Sequence, residues 1–408
     1  MSNLTPRERL QRTLRFEPTD YVPCSFMSFT ALRRRCGENM YELAKAERTM
    51  GLDPFLFIPT LARPQRPDHP ELRGLPVRFH PAVTTREWRE NVAGEHAILH
   101  KEYSTPAGKL RTDVRVSDDW PHGDHIPFID DYQVPRAIKP LLTGAEGELE
   151  ALQYLLAPPF AQDVAQFKCE MEHAHDFVHE QGVLLVGGWG VGLDMADWLC
   201  GFENLMILQH DQPQFVAELL EMIHWWNQQR MAAVLSGKVD LYIYRAWYEG
   251  CDFLSPKVFR SLVLPHLKSD ADLAHERGAK FGYICSSGLL SLLDDYLEAG
   301  IDVLIGVDPV QGTHTDLGLI REKTSGRICL WGGVSGAVTV EMGTEQEIRM
   351  AVQQAIAALG PEGFILSPVD NITIDAPQTW RNLAVFLDEW KRRRAPSAPI
   401  CHHPNETA

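Results

Sequence analysis

The chain lacks most of the features that would set it apart from ordinary globular proteins. Its 408 residues contain no apolar run near the roughly 18 that a membrane-spanning helix requires, which excludes a helical membrane protein. The first residues, MSNLTPRERLQRTLRFEP, are charged and have no apolar h-region, so a secretory signal is not expected there. Glycine (30) and proline (27) are unremarkable, and no internal repeat is visible, which excludes collagenous and low-complexity chains. Basic residues are scarce: Lys and Arg number 39 against 55 Asp and Glu, a formal charge of −16. A chain this acidic is repelled by phosphate backbones and anionic membranes, so neither nucleic acid nor a membrane is expected as a partner. The eight cysteines include no CxxC pair and no disulfide framework. Free thiols in a reducing, cytoplasmic compartment are therefore expected.

What is present is a strand–helix rhythm. Apolar runs over Val183–Trp189, Val239–Ala246, Ala279–Cys285, Asp302–Val307, Arg327–Gly332 and Gly363–Pro368 read as six buried strands. Tyr21–Phe29 and Pro54–Pro59 add two more. Helix signals lie between them. Ser255-Pro256 offers a cap followed by a proline at the first helical position, and Thr344 with Glu347 forms a capping box. Apolar positions at helical spacing predict helices over Phe215–Val234 and Ala376–Arg393, and Pro265 should kink or break the helix begun at Pro256. Trp225 and Trp226 read as packing residues.

Eight alternating units predict an α/β fold, a closed (β/α)8 TIM barrel. A doubly wound open sheet is the rival, but no GxGxxG follows the first strand. The surplus over a bare barrel falls at residues 61–182, where Arg86–Ala93, His96–Ser104 and Lys109–Val116 alternate like hairpin strands around Pro106-Ala107-Gly108. It reads as a β-rich insertion after strand two, a lid or partner platform. Residues 1–60 then supply an N-terminal helix and two strands, 183–394 the rest of the barrel, and 395–408 a polar, disordered tail.

Barrel chemistry belongs at the C-terminal ends of the strands. Those ends carry Phe29, Thr60, Trp189, then Trp247-Tyr248-Glu249-Gly250-Cys251, then Tyr283-Ile284-Cys285, Asp308, Gly332-Gly333 and Asp370-Asn371. Aromatic walls from Phe29, Trp189, Trp247 and Tyr248, with Asn371, describe a pocket for a small flat or apolar molecule. No cluster of Lys and Arg stands there to hold a polyanion. Glu249, Tyr283 and Asp370 are the candidate acids and bases. Glu249, Cys285 and Asp370 could also hold zinc with one position open, although none of the sixteen histidines falls at these ends. Each has a plainer alternative: Cys285 as a core residue, Asp370-Asn371 as a turn, Glu249 as a loop carboxylate. Elsewhere, His122 and His125 could line a lid but read better as a polar loop. The Gly332–Gly336 loop could cradle a phosphate but reads better as a tight turn, and Cys401-His402-His403 lies in the tail.

Several stretches together resemble the uroporphyrinogen decarboxylase superfamily over nearly the whole chain. They are Arg7-Glu8-Arg9-Leu10, the entry Pro18–Pro23, Leu254-Ser255-Pro256 with Phe259, Pro265-His266-Leu267, Gly278–Gly288, Gly300-Ile301-Asp302, Gly332-Gly333, Gly363–Pro368 and Ala376–Asn382. The resemblance implies the same barrel. It favours the corrinoid-dependent methyltransferases over the decarboxylases. Where decarboxylases have Arg-Gln-Ala-Gly-Arg, this chain reads Phe29-Thr-Ala-Leu-Arg-Arg-Arg35; Phe57–Thr60 carries no aspartate, and the late histidine is replaced by Asp370. The methyltransferase pattern of His-x-Cys and a later Cys becomes Tyr283, Cys285 and Asp370. The insertion, with its Thr105–Leu110 hairpin and Asp119–Asp124 loop, looks like members that demethylate methoxylated substrates. The resemblance thus implies methyl transfer from a small methoxylated or methylated substrate to a corrinoid protein, docked on an acidic surface. An acid (Asp370, Glu249 or Tyr283) or zinc would assist the leaving group, and a homodimer is left open. The rival readings are a tetrapyrrole decarboxylase and a non-catalytic ligand-binding barrel.

Overall fold

A computed structural model describes residues 4–58, 75–91, 93–312 and 315–395. Thr60, the first part of the expected insertion and the tail from residue 396, with Cys401, His402 and His403, lie outside the described residues. In chain order the strands are β1 (Phe55–Ile58), then β2 (Thr84–Glu90), β3 (Ile98–Thr105), β4 (Gly108–Arg115) and β5 (Ala137–Lys139) of the insertion. They continue with β6 (Leu184–Val191), β7 (Leu241–Arg245), β8 (Lys280–Ile284), β9 (Val303–Val307), β10 (Cys329–Ser335) and β11 (Phe364–Val369). β1 and β6 to β11 form one parallel sheet of seven strands in sequence order. Every residue of β1, β6, β7, β9, β10 and β11 is buried, as strands covered by helices outside and packed side chains inside must be.

The eighth stave is shorter than the sequence predicts. Of Tyr21–Phe29, only Cys24 makes a ladder bridge, to Leu366 of β11. Ser25 donates to the Leu366 carbonyl at 3.0 Å and Leu366 donates to that of Pro23 at 2.9 Å. On the other side, Asp53 N donates to the Cys24 carbonyl at 2.8 Å, and Cys24 N donates to the Asp53 carboxylate at 3.1 Å. A side chain thus stands in for a strand where Pro23 has no N–H and Asp53 immediately precedes Pro54. Asp53 is fully buried and forms an ion pair with Arg9 of the N-terminal helix (Pro6–Leu14), itself 3% exposed.

The helices follow their signals. Thr5 and Thr344 both complete capping boxes, and Ser255 caps the helical turn that opens with Pro256. Pro265 interrupts the α-helical pattern begun at Pro256, as expected, while the chain stays helical. A π-helical turn over Phe259–Val263 precedes the helix Leu264–Glu276 and absorbs the missing proline N–H. The long helix Pro213–Leu235 buries Trp226, whose indole donates to the Ala157 carbonyl at 3.0 Å. Trp225 is half exposed, so only one of the pair packs inside. The insertion is a four-stranded antiparallel sheet, β2-β3-β4-β5. The helix Ala161–Gln181, within the span expected for the insertion, packs on β1 and β6 as a barrel helix. No helix among the described residues is long and apolar enough to cross a membrane.

If Asp53 closes the barrel, Asp53→Ala removes one of the two carboxylates on the Arg9 guanidinium, leaving Asp20, and unpairs the buried Cys24 N. The expected cost is about 1–3 kcal/mol of unfolding free energy, measured by urea denaturation. A loss below about 1 kcal/mol, as for a surface ion pair, would reject that role.

Candidate active site

The C-terminal rim is organised by one buried guanidinium. Arg245 ends β7 and is 3% exposed. It forms ion pairs with Asp194, on the helix Leu193–Cys200 that follows β6, and with Asp131 of the insertion. Its guanidinium lies 4.5 Å from the Trp198 ring centre and 4.6 Å from that of Trp247. Asp194 also accepts the backbone N–H groups of Trp247 (3.1 Å) and Tyr248 (2.9 Å). Asp131 accepts the Trp198 indole N–H at 2.8 Å and the Tyr248 hydroxyl at 3.4 Å. The insertion is therefore bolted to the barrel mouth through shared charge. None of Arg245, Asp194 or Asp131 stands out in the sequence. The signal was the arginine itself, closing the apolar run VDLYIYRA, where burial requires an acidic partner.

Beside this cluster, Tyr283 of β8 donates its hydroxyl to Glu249 Oε2 at 2.5 Å. Glu249 Oε1 accepts the Leu193 N–H at 2.9 Å, so the carboxyl also caps the helix N-terminus. Both side chains are fully buried. The approach is close enough to demand glycine at 192: a Cβ there would lie 1.9 Å from the Tyr244 hydroxyl and 3.0 Å from Glu249 Oε1. Burial pushes the Glu249 carboxyl up to about 8, and nearby Asp194 adds to this while the Tyr283 and Leu193 hydrogen bonds oppose it. Burial likewise pushes the Cys285 thiol up to about 12. That thiol points at the Ser287 carbonyl, 3.5 Å away, and at Tyr296.

Asp370 stands apart from this pair. It follows β11 in a left-handed conformation (φ 69°) and is half buried. Burial raises its pKa, and Asp308, Asp131 and Glu341 raise it further against the pull of Arg245. Asp308, after β9, is fully buried and caps its own loop, with Oδ1 accepting Val310 N at 2.7 Å and Gln311 N at 3.1 Å. Burial raises its pKa, and hydrogen bonds from Val310 N, Gln311 N and the fully buried Ser335 hydroxyl oppose that rise.

The structure thus joins Glu249 to Tyr283, with Cys285 beside them, while the charge that most raises the Asp370 pKa, after burial, is Asp308. Among the described residues no three His, Cys, Asp or Glu side chains form a metal-binding group. With Glu249 spent on a phenol and an amide, and no three-ligand group among the described residues, the expected zinc set of Glu249, Cys285 and Asp370 does not fit.

Among the expected aromatic walls, Trp189 and Trp247 do pair, with ring centres 5.9 Å apart. Phe29 is instead a core residue on Phe26 and Trp380. Asn371 is used on Thr30, accepting its N–H at 3.0 Å and donating to its hydroxyl at 2.8 Å, which pins the helix Thr30–Arg35. His122 is held by Asp130 (3.1 Å) and His125 by Glu87 (3.0 Å), both inside the insertion. At Gly332 and Gly333 a Cβ would meet Val307 O at 2.7 Å and Ala355 Cβ at 2.8 Å, the close packing of a tight turn.

A family model, uroporphyrinogen decarboxylase (URO-D), matches residues 146–392, more than half of the chain. Among solved structures, a methyltransferase from Methanosarcina mazei is similar with a TM-score of 0.57 and 17% identity, over 95% of this chain and 99% of that one. A B12-independent methionine synthase from Shewanella sp. gives 0.47 and 9%, over 91% and 97%. No curated protein matches the sequence.

The raised carboxyl of Glu249 has a measurable consequence. Because its folded pKa exceeds the unfolded 4.5, the native state keeps this proton longer, and stability falls as pH rises from about 4.5 to about 8. Glu249→Gln removes that contribution. Its unfolding free energy in urea should depend less on pH across this window than that of the unmodified protein; an unchanged slope would mean Glu249 is ionised in the fold.

Proposed function

The chain belongs to the uroporphyrinogen decarboxylase family, and from that footing we propose that it is a methyltransferase. In this reading it moves a methyl group from a small methoxylated or methylated substrate to a corrinoid carried by a separate protein. The observation that carries the choice of branch is the sign of the charge around the mouth. A tetrapyrrole acid needs guanidinium groups to hold its carboxylates. Here Arg33 is paired with Glu38 at 2.7 Å, Arg34 with the Thr373 carbonyl at 3.4 Å and Arg35 with Asp375 at 2.5 Å. Arg245 is shared by two aspartates. Against these stand Asp131, Asp308, Asp370 and Glu341, which repel a polycarboxylate. The likeness in fold to the Methanosarcina mazei methyltransferase supports the same branch.

The corrinoid would supply the nucleophile that takes the methyl group; the chain supplies orientation and charge. Trp189 and Trp247 wall the substrate. Asp370, half buried and crowded by like charge, is the carboxyl placed to act on the donor. For an ether it would hand a proton to the departing oxygen, a poor leaving group otherwise. Glu249 and Tyr283, fully buried, hold the N-terminus of the helix Leu193–Cys200 in place.

Purified protein, cob(I)alamin and a panel of methoxylated and methylated donors should show loss of the cob(I)alamin absorption with at least one donor. Asp370→Asn should lower that rate by about 10²-fold or more. Conversion of uroporphyrinogen to coproporphyrinogen would overturn the reading, as would an Asp370→Asn variant with full methyl-transfer activity.

A further inference from the structure

We propose that the chain forms a twofold homodimer in which the edge strand β2 pairs, antiparallel, with the β2 of a second copy, with Trp88 on the axis. β2 is the outer strand of the inserted sheet. It pairs with β3 on one side, and among the described residues no strand lies on the other. Of its seven residues, Thr84–Glu90, six are exposed and Trp88 is partly so. An edge strand offers a row of unpaired N–H and C=O groups, and charged side chains ordinarily keep other strands away from it. Here the order of the charges, Arg86-Glu87-Trp88-Arg89-Glu90, leaves one register open.

Geometry restricts the choice. Along an antiparallel ladder, hydrogen-bonded and non-hydrogen-bonded pairs alternate, so residues directly opposite each other turn their backbone groups the same way. In a twofold pair of identical strands, one residue therefore lies on the axis and faces itself. With Arg86, Glu87, Arg89 or Glu90 in that place, like charges meet across the seam, which is destabilising. With Thr84 or Thr85 there, no more than three residues of the strand pair. With Trp88 there, Arg86 faces Glu90 and Glu87 faces Arg89, and symmetry makes each pair twice. Every charge of the strand meets its opposite, and the two indoles meet each other.

The side chains are already set for this arrangement. Arg86, Trp88 and Glu90 share one face, and Trp88 lies opposite His100 of β3. The indole stacks on the His100 ring at 4.9 Å, and the guanidinium groups of Arg86 and Arg111 each lie 5.0 Å from its centre. Glu90 is held by His100 at 3.2 Å. Among the described residues Arg86 forms no ion pair, since Glu102 opposite it takes Lys109 at 2.8 Å. On the other face, Glu87 accepts the Ile126 N–H at 3.0 Å and is held by His125 at 3.0 Å, while Arg89 pairs with Asp124 at 2.5 Å. These internal contacts order the side chains before a second copy arrives, which lowers the entropic cost of pairing.

Two such sheets would join as one of eight strands. A seam of one strand pair is smaller than a standard interface, so dissociation at about micromolar concentration is expected. Sedimentation velocity on the full chain, from about 1 to about 100 μM, should show the mass rising from monomer toward dimer. Arg86→Glu and Glu90→Arg each set like charges opposite each other twice, and each should weaken self-association at least about tenfold. Mixed in equal amounts, the two variants bring Glu opposite Arg at both places and should associate as the unmodified chain does. The double variant Arg86→Glu/Glu90→Arg should do so alone. A chain that stays monomeric over the whole range overturns the proposal. So does a dimer that neither single reversal weakens, or a pair of weakened variants that fail to rescue each other.

Discussion

A single guanidinium has to answer for the acidity of the whole rim. Burying a charge is tolerable only when it is paired and hydrogen-bonded, and Arg245 meets that demand from both sides at once. It neutralises Asp194 beneath and Asp131 above, while Trp198 and Trp247 cover its flanks. Asp194 in turn fixes the backbone of Trp247 and Tyr248, and so decides where the loop after β7 runs. Glu249, two residues on, is thereby brought under the helix N-terminus at Leu193 and against the Tyr283 hydroxyl. The order of dependence runs from ion pair to loop path to buried carboxyl.

The same arithmetic separates two kinds of acid at one face of the barrel. Glu249 is removed from solvent and satisfied by two donors, so its chemistry is that of a structural group. Asp370 is half exposed and feels Asp308, Asp131 and Glu341 against the pull of Arg245. Both have a raised pKa, largely through burial, yet one is sealed and the other half open. A shifted pKa is therefore a pointer to be read with exposure and hydrogen bonding beside it.

Much of this was legible in the residues. Strands β6 to β11 are apolar runs bounded by glycines and helix caps, and these local signals agree with the fold. Tyr21–Phe29 pairs over a shorter stretch than its strand-like composition predicts, because its pairing is supplied partly by a side chain, Asp53, 29 residues from Cys24 and just ahead of β1. The pairing of Glu249 with Tyr283 was half visible, since both fall at strand ends. Phe29 and Asn371 also fall there, yet they turn toward Trp380 and Thr30. Position at a strand end fixes height along the barrel, not the direction of a side chain. The Arg245 cluster was hidden for another reason: its aspartates lie 51 and 114 residues away, one of them in the insertion. No local pattern encodes a partnership of that reach.

The bond between Arg245 and Asp131 has a consequence for how such barrels diversify. The cation belongs to the barrel and one of its counter-ions to the inserted sheet, so the polarity of the cavity is a joint property of two segments. Exchange the insertion for one without an acid at that place, and a guanidinium stands half-answered at the entrance, inviting anions. A change of ligand sign could then arise from grafting a surface module, with every strand of the scaffold left as it was.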